Sequence, residues 1–571
     1  MNIENKPEST NRCILELPLK YDKHEHTILN TMFRVANDMK NNLIGWYLNQ
    51  YREMIRTKKW RNNQVAIHQL YVDYAPGIKD LGKLKAKISR KINKCQKNGI
   101  NYTPSLKDME NLDCLQKTED EFKEKKAALY EIRNGMLAEH GFSKFSFQER
   151  MKKYRKSYET LVGSAVAQRI ADTVWDMFQA KLFGNGKAIS FSPFTEFLSI
   201  EGKSNKTNIV FNRKTMTVTF GKKSNQVTLR VKRNRRDPYG YEETMLGYEV
   251  CYCRIVRKAY PEGWRYFLQL VLKGTPPVKI DSETGEILHS IGKGCVGLDI
   301  GTQTLAFSGD HNVGLEVLAE DIQNDQNKIR RIKRAMDRSR RNSNPRMFTS
   351  DGQIVRRNKL PAELLNKRGR RIWIKTKRYK RLEMRLRAIY RKQAAYRKHL
   401  HRRMANKLLS MSDEFYVEKM NWKALSKRSK ETKRNQKGKF LSKKRFGKSI
   451  ANKAPASFIN ILEAKATAAG GIFQRIDTWE AKASQFNHVT GKCSKKRLSK
   501  RWHTLEDGMK VQRDLYSAFL IQHINKDLKS FDVEACKKDF TAFLAMHQKE
   551  IERLQSLDKK MPSSMGIRKA A

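Results

Sequence analysis

Residues 295–301, CVGLDIG, place one carboxylate near the middle of an otherwise apolar strand. An unpaired charge in such a strand costs on the order of several kcal/mol, so Asp299 calls for a cationic partner, and a metal ion would supply one. Gly297 and Gly301 flank it and keep the backbone uncrowded. Two more strand-like runs follow, TLAFS and GLEVLAE, joined by the polar turn GDHNVG. The segment therefore reads as three consecutive strands with an acid on the first.

Two further acids fit that strand. In DEFYVEKMNWKAL the triplet Phe415-Tyr416-Val417 reads as a short strand, and Glu418 stands at its C-terminal end, 119 residues after Asp299 (418 minus 299). In GMKVQRDLYSAFLIQHI the residues Val511, Leu515, Ala518 and Phe519 recur at offsets of 4, 7 and 8, which predicts an amphipathic helix with Asp514 beside its apolar stripe. The small residues Ser517 and Ala518 would let that helix approach a sheet closely. Glu506 and Asp507 are rival acids, but they precede Gly508 and read as loop, so Asp514 is preferred. An opening meander with an acid on its first strand, a second acid on a neighbouring strand and a third on a helix is the plan of an RNase H-like fold. Three carboxylates suit phosphodiester hydrolysis, which needs a deprotonated water on one side and a stabilised leaving oxygen on the other. Two divalent ions about 4 Å apart do both, and magnesium takes hard oxygen ligands. Asp299 would bridge both ions, with Glu418 and Asp514 each holding one.

Charge names the class of partner. With 117 Lys and Arg against 59 Asp and Glu, the formal net charge of +58 repels itself unless a polyanion relieves it. Nucleic acid does so through phosphate contacts. From Lys328 to Lys407 there are 30 Lys and Arg against four acids, Asp337, Asp351, Glu363 and Glu383. Tyr379, Leu382, Leu386 and Ile389 keep helical spacing there, so the segment reads as a basic helix pair gripping a duplex backbone rather than as a tail.

Upstream, residues 12–20 read as a strand and 26–56 as a helix whose apolar face begins at Leu29, Met32 and Phe33. Residues 78–135 are lysine-rich and helical in pattern, with loop signals near Gly99 and Pro104. One helix is predicted over about 145–183. From 188 to 275 the period falls to two, in TNIVF, MTVTF, VTLRV, YEVCYCRIV and RYFLQLVLK, so these strands and the N-terminal one could close a basic β-barrel around the helical insert. Eight scattered cysteines without a CxxC pair argue against a disulfide framework and fit a reducing cytosol. No apolar run approaches the ~20 residues of a membrane span, and MNIENKPEST lacks the core of a signal peptide. The chain reads as soluble and cytoplasmic, with no membrane partner.

GLDIGTQTLAF, FYVEKMNWKAL and QRDLYSAFLI resemble the three RuvC motifs of TnpB proteins and compact type V CRISPR effectors, which are RNA-guided DNA nucleases. Residues 456–485 resemble the helix–strand run before that family's zinc-binding module, and SFQERMKKYRKSYETLVGSAVAQRIADTVWDMFQAKLFGNGK resembles its recognition-lobe helix. The resemblance implies a bilobed multidomain chain of α+β and α/β parts. A helical recognition lobe (26–186) is inserted in a wedge β-barrel (1–25 and 187–290). An RNase H-like RuvC domain (291–326, 412–482 and 507–571 with the C-terminal tail) follows, with a basic helical insert (327–411) and a degenerate zinc-finger-like module that loads the target strand (483–506). It implies cleavage of double-stranded DNA beside a short adjacent motif, guided by RNA pairing. It assigns the catalytic and metal-binding roles to Asp299, Glu418 and Asp514, with two magnesium or manganese ions and a guide RNA as cofactors, and it allows a homodimer. One departure stands out. After Ser484-Gln485 many members of the family carry two CxxC pairs; here FNHVTGKCSKKRLSKRWHTLEDG offers only Cys493 with His488 and His503, a spacing that fits no common zinc site. Structural zinc is not expected, and Trp502 is the candidate anchor. The competing readings are a guided DNA binder that represses without cutting, an unguided RNase H-fold transposase or resolvase, and a non-enzymatic basic RNA-binding protein.

Overall fold

A computed structural model describes residues 11–97, 102–184, 186, 188–222, 225–233, 237, 239–281, 283–320, 322, 325–366, 369–429, 431–432, 434–436, 438, 440, 446–495, 500–505, 508–559 and 561–567. The chain is mixed α/β and falls into two compact units. One comprises Met1–Arg235, Met245–Arg257 and Tyr266–Gly274; the other comprises Arg236–Thr244, Lys258–Arg265 and Thr275–Ala571.

The first unit begins with strand β1 (Arg12–Lys20), whose alternation buries Cys13, Leu15, Leu17 and Leu19. Asp22 and Glu25 then close a capping box, each carboxylate accepting the other's backbone N–H at 2.8 and 2.7 Å, and start helix α1 (Lys23–Arg56). Leu29, Met32, Phe33 and Ile44 are buried on it. Helices α2 (Lys58–Lys97) and α3 (Leu106–Glu139) pack as a pair, tied by Asn63 donating to the Leu129 carbonyl at 3.0 Å and by Lys87 on Asp108 at 3.0 Å. Helices α4 (Lys144–Arg155) and α5 (Ser164–Phe183) follow. Phe147 and Phe178 from this pair join Tyr47 of α1 in a fully buried aromatic cluster.

The single helix predicted over 145–183 is therefore two. The break has a distant cause. Asn208 Oδ1 accepts from the N–H groups of Ala165 and Val166 at 3.0 and 3.4 Å, capping α5 from a loop 43 residues away in sequence. A Cβ on Gly163 would lie 1.9 Å from that oxygen, so only glycine fits at the junction.

The strands of this region are β2 (Ser199–Glu201), β3 (Ile209–Asn212), β4 (Thr217–Phe220) and β5 (Val227–Val231), then, after the short helix α6 (Tyr241–Gly247), β6 (Val250–Tyr260) and β7 (Gly263–Lys273). With β1 they form a seven-stranded sheet in the order β2-β6-β7-β1-β5-β4-β3. β1 links its two halves, since Arg12 to Pro18 pair with β7 while Leu19 and Lys20 pair with β5. The sheet is a nearly closed barrel. Across the remaining gap, the Asn205 side chain bonds both the N–H and the C=O of Phe211 on β3, at 2.8 and 3.1 Å, and accepts from Cys253 Sγ of β6 at 3.2 Å.

The second unit is built on β8 (Cys295–Ile300), β9 (Thr304–Gly309), β10 (Val313–Val317), the helix pair α7 (Gln326–Ser343) and α8 (Lys377–Leu409), β11 (Glu414–Glu418), the short helices α9 (Trp422–Leu425) and α10 (Gly447–Lys453), α11 (Pro455–Ala468), β12 (Ile472–Ile476) and the short α12 (Thr478–Ala481). Two small hairpins, β13 (Phe486–Asn487) with β14 (Lys492–Cys493) and β15 (Trp502–Thr504) with β16 (Lys510–Gln512), lead to α13 (Arg513–Gln522) and α14 (Val533–Ser556). The five-stranded sheet has the order β10-β9-β8-β11-β12, antiparallel from β10 to β8 and parallel from β8 to β12. One face buries Val296, Leu298, Phe415 and Val417 with Leu408 of α8 and Phe458 and Leu462 of α11. The other lies under α13 and α14, which contribute Leu515, Phe519 and Phe543.

The predicted amphipathic helix differs from α13 in two ways. Val511 belongs to β16, so the helix starts two residues later. Every residue of α13 from Leu515 to Ile521 is buried, because the helix is enclosed between the sheet and α14 rather than lying on a surface. All eight cysteines are free, and among the described residues no helix is long and apolar enough to cross a membrane.

The cap on α5 can be checked directly. Asn208→Ala should lower stability by about 1–2 kcal/mol, since it removes the cap and puts Ala at a left-handed φ of 67° that Asn tolerates better. Urea unfolding followed by circular dichroism would read it, and an unchanged midpoint would show that α5 needs no outside cap.

Candidate active site

Asp299 lies on the central strand β8, Glu418 at the last position of β11, and Asp514 in the first turn of α13. The parallel register runs from Cys295↔Glu414 to Leu298↔Val417, so its next step sets Asp299 beside Glu418. Leu298 and Val417 face the α8–α11 core, which leaves Asp299 and Glu418 on the opposite face, with α13.

The contact that seats α13 is at Gly297, two residues before Asp299 on the same face. A Cβ there would lie 2.1 Å from the Ala518 carbonyl oxygen and 2.2 Å from the Gln522 nitrogen. Cys295, two residues earlier, donates its thiol to the Gln522 carbonyl at 3.3 Å. Helix and strand are commensurate here. Four residues of helix rise about 6 Å and two residues of strand about 6.6 Å, so moving from Gly297 to Asp299 on β8 matches moving from Ala518 back to Asp514 on α13. Gln512 fixes where the helix begins. Its Oε1 accepts from Leu515 N–H at 2.8 Å, its Nε2 donates to the Met565 carbonyl at 3.1 Å, and its own N–H donates to His547 at 2.9 Å.

All three acids have raised pKa values. For Asp299 the largest cause is burial, with repulsion from Asp514 and Glu418 adding to it. Burial pushes Glu418 up to about 7 and raises Asp514 as well. Two cations oppose this. Arg513 favours the ionised form of all three acids, and Arg501, with Nη1 4.0 Å from Asp514 Oδ1, favours that of Asp299 and Asp514. Arg513 is 9% exposed, and its buried Nη1 has no hydrogen-bond partner among the described residues. Each carboxylate keeps partial exposure to solvent.

The sequence-predicted acids are thus brought into one electrostatic cluster. The rivals Glu506 and Asp507 lie outside the described residues. Arg513, Arg501 and Gln512 are additions that the sequence reading missed. The run QRD does show a cation before an acid at a helix start, but among 117 basic residues that signal is ordinary.

Among the described residues no group of three or more His, Cys, Asp or Glu already stands at metal-ligand spacing. The donor chemistry fits a divalent cation all the same: carboxylate oxygens only, partly buried, mutually repelling and short of positive charge. Ions bound there would be held by Asp299, Glu418 and Asp514. The two hairpins before α13 are organised differently. His488, buried, has both its N–H and Nδ1 against the Tyr516 hydroxyl at 3.1 and 2.7 Å. His503, also buried, packs edge-on to the Tyr516 ring, while Cys493 is exposed on β14. Trp502 donates Nε1–H to the Gly566 carbonyl at 2.8 Å and packs edge-on to His547.

No protein-family model matches the chain, and no curated protein does. Among solved structures, it is similar to a chain of the cryo-EM structure of a Cas12f1–sgRNA–target DNA complex, at 12% identity and a TM-score of 0.39 over 91% of this chain and 99% of that one. It is also similar to a chain of a CRISPR–Cas12f ternary complex, at 13% identity and a TM-score of 0.25 over 91% of this chain and 100% of that one.

A carboxylate whose pKa is raised by folding destabilises the fold once ionised, so its penalty is absent below the ordinary carboxylate range and complete above the raised value. For Glu418 that window runs from 4.5 to about 7. Metal-free protein should therefore lose thermal stability from these acids as pH rises through the window, and Asp299→Asn should melt higher than wild type above it but not below it. Calorimetry on either side of the window checks this; a variant that melts lower at both pH values would mean that the three acids do not oppose one another. Gly297→Ala should cost at least about 2–3 kcal/mol, because the methyl group meets helix backbone that cannot move aside. Wild-type stability in that variant would show that α13 is not seated as described.

Proposed function

We propose that this chain is an RNA-guided endonuclease that cuts double-stranded DNA at Asp299, Glu418 and Asp514. The observation that carries the reading is the convergence of three carboxylates from separate segments: burial raises all three, Glu418 and Asp514 both oppose the charge of Asp299, and a buried arginine lies beside them. Structural cores rarely gather like charges in this way, and sites for acid–base and metal chemistry do. The strand order, with the acids on two adjacent central strands and a helix, agrees with the RuvC-type, RNase H-like domain that the sequence motifs imply.

Divalent ions bound by these carboxylates would supply an activated water and stabilise the leaving oxygen. The chain's own groups account for the rest. Asp299 stands between Glu418 and Asp514 and is the one placed to share ligands with both. Arg513 and Arg501 hold the acids toward their ionised forms before any ion binds. The same two guanidiniums offer positive charge to a scissile phosphate. Affinity comes from elsewhere, chiefly the unpaired lysines and arginines of the α7–α8 pair, with sequence choice left to RNA pairing.

Replacing Asp299, Glu418 or Asp514 by Ala should lower cleavage by at least about a thousandfold while leaving guided DNA binding near wild type, and Asp507→Ala should cut normally. The decisive measurement is to purify the protein expressed with its native flanking DNA, sequence the RNA that accompanies it, and assay cleavage with and without that RNA. One abundant structured RNA, required for cutting, is the expected result. Cleavage without RNA would turn the reading to an unguided metal-dependent nuclease, and guided binding without any cutting to a repressor.

A further inference from the structure

Within the second unit, a cavity of about 590 Å³ opens between α7, α8 and the tip of the β6–β7 hairpin. Four of its lining residues are apolar, Pro261, Ile332, Ala388 and Ile389, and they are taken as its floor. Around it stand five cations, Lys328, Arg331, Arg385, Arg391 and Lys392. Arg391 is fixed in place: its Nε donates to the Ala259 carbonyl at 2.8 Å, and its guanidinium lies 4.0 Å over the Tyr260 ring.

Asp325, at the N-cap of α7, accepts from Gln393 Nε2 at 3.4 Å, and the two acids within the helices are paired with other cations. On the same helices Asp337 pairs with Arg340 and Arg341 at 2.8 and 2.7 Å, and Glu383 pairs with Lys375 and Arg387 at 3.3 and 3.7 Å. None of the five around the cavity is ion-paired to a described carboxylate, so an anionic ligand is required to offset them. Phosphate alone would satisfy the rim and leave the apolar floor wet. A duplex also presents phosphates but keeps its bases stacked inside. An unpaired nucleotide offers both surfaces, and the volume lies within the ordinary range of about 300–1,000 Å³ for ligand sites. Recognition of single strands commonly works this way, with a splayed base laid on an apolar or guanidinium plane and phosphates on lysine and arginine.

We propose that this cavity takes one unstacked nucleotide of a bound single strand, its base on the Ile332–Ala388–Ile389 floor beside Arg391 and its neighbouring phosphates on the basic rim. The inference rests on the nucleic-acid-binding part of the proposed function and adds a base-accepting site outside the carboxylate cluster.

The test uses the full chain, fluorescence anisotropy at fixed salt, and three probes: a short oligoadenylate RNA, the same sequence as DNA, and a blunt RNA duplex. Ala388→Leu fills the floor, and Lys392→Glu reverses one exposed rim charge. Ala388→Leu should weaken single-strand binding about tenfold and duplex binding less than about twofold, while Lys392→Glu weakens both. An effect on RNA alone assigns the nucleotide to RNA; an effect on both strands assigns it to either. An oligoadenylate carrying one 2-aminopurine should brighten on binding wild type, as its base leaves the stack, and this reading does not depend on any variant folding. Unchanged single-strand affinity in a normally melting Ala388→Leu protein, or no brightening with wild type, would overturn the proposal. Wild-type protein that binds none of the probes would instead overturn the nucleic-acid reading on which it stands.

Discussion

The backbone of α13 rests directly on Gly297, and the placement of the carboxylate site depends on that contact. A helix normally stands off a sheet by the thickness of its side chains. Here the carbonyl of Ala518 and the N–H of Gln522 occupy the space a Cβ would fill, so helix and strand approach as closely as backbones can. Close approach turns a loose packing angle into a register. Cys295, Gly297 and Asp299 on the strand then face successive turns of the helix, and Asp514 reaches Asp299 as a consequence of spacing. Gln512 sets the other end of that register by fixing the first turn from three sides, through Leu515, Met565 and His547. A site that must hold like charges together needs rigid supports, because repulsion would exploit any freedom in them.

The electrostatics of the chain divide into two regimes. At the sheet, carboxylates are in excess and partly buried, with Arg513 and Arg501 holding them short of neutralisation. On α7 and α8, cations are in excess and the few acids pair with arginines and a lysine away from the cavity. The first arrangement draws cations and the second draws polyanions. The proposed activity would need both, since a phosphodiester has to be attracted to a place where acids would otherwise repel it.

Local patterns in the sequence carried much of this. The apolar strand with one acid, the FYVE strand and the basic helix pair are set by nearest-neighbour alternation and helical spacing and appear where the periodicity puts them, whereas the last run of the meander, GLEVLAE, ends as a strand at Val317 and turns. What was not legible came from partners remote in sequence. Nothing near Gly163 reports that Asn208 will cap α5, so the break between α4 and α5 read as one helix. The start of α13 was misplaced by two residues because Val511 serves as a strand residue paired with His503, a role that periodicity alone assigns equally well to a helix. Arg513 was overlooked for the opposite reason: the signal was local but drowned by the abundance of lysine and arginine.

The hairpins before α13 are attached by packing and hydrogen bonds. His488 and His503 both pack on Tyr516, and Cys493 stands exposed on β14. Tyr516 lies two residues after Asp514 on the same buried helix. The first hairpin is therefore fastened by a hydrogen bond to the helix that carries the third carboxylate. The second is fastened through Trp502 to the Gly566 carbonyl, next to Met565, the residue that also accepts from Gln512. Both attachments end near Asp514: one on Tyr516 of the same helix, the other beside the carbonyl that holds Gln512.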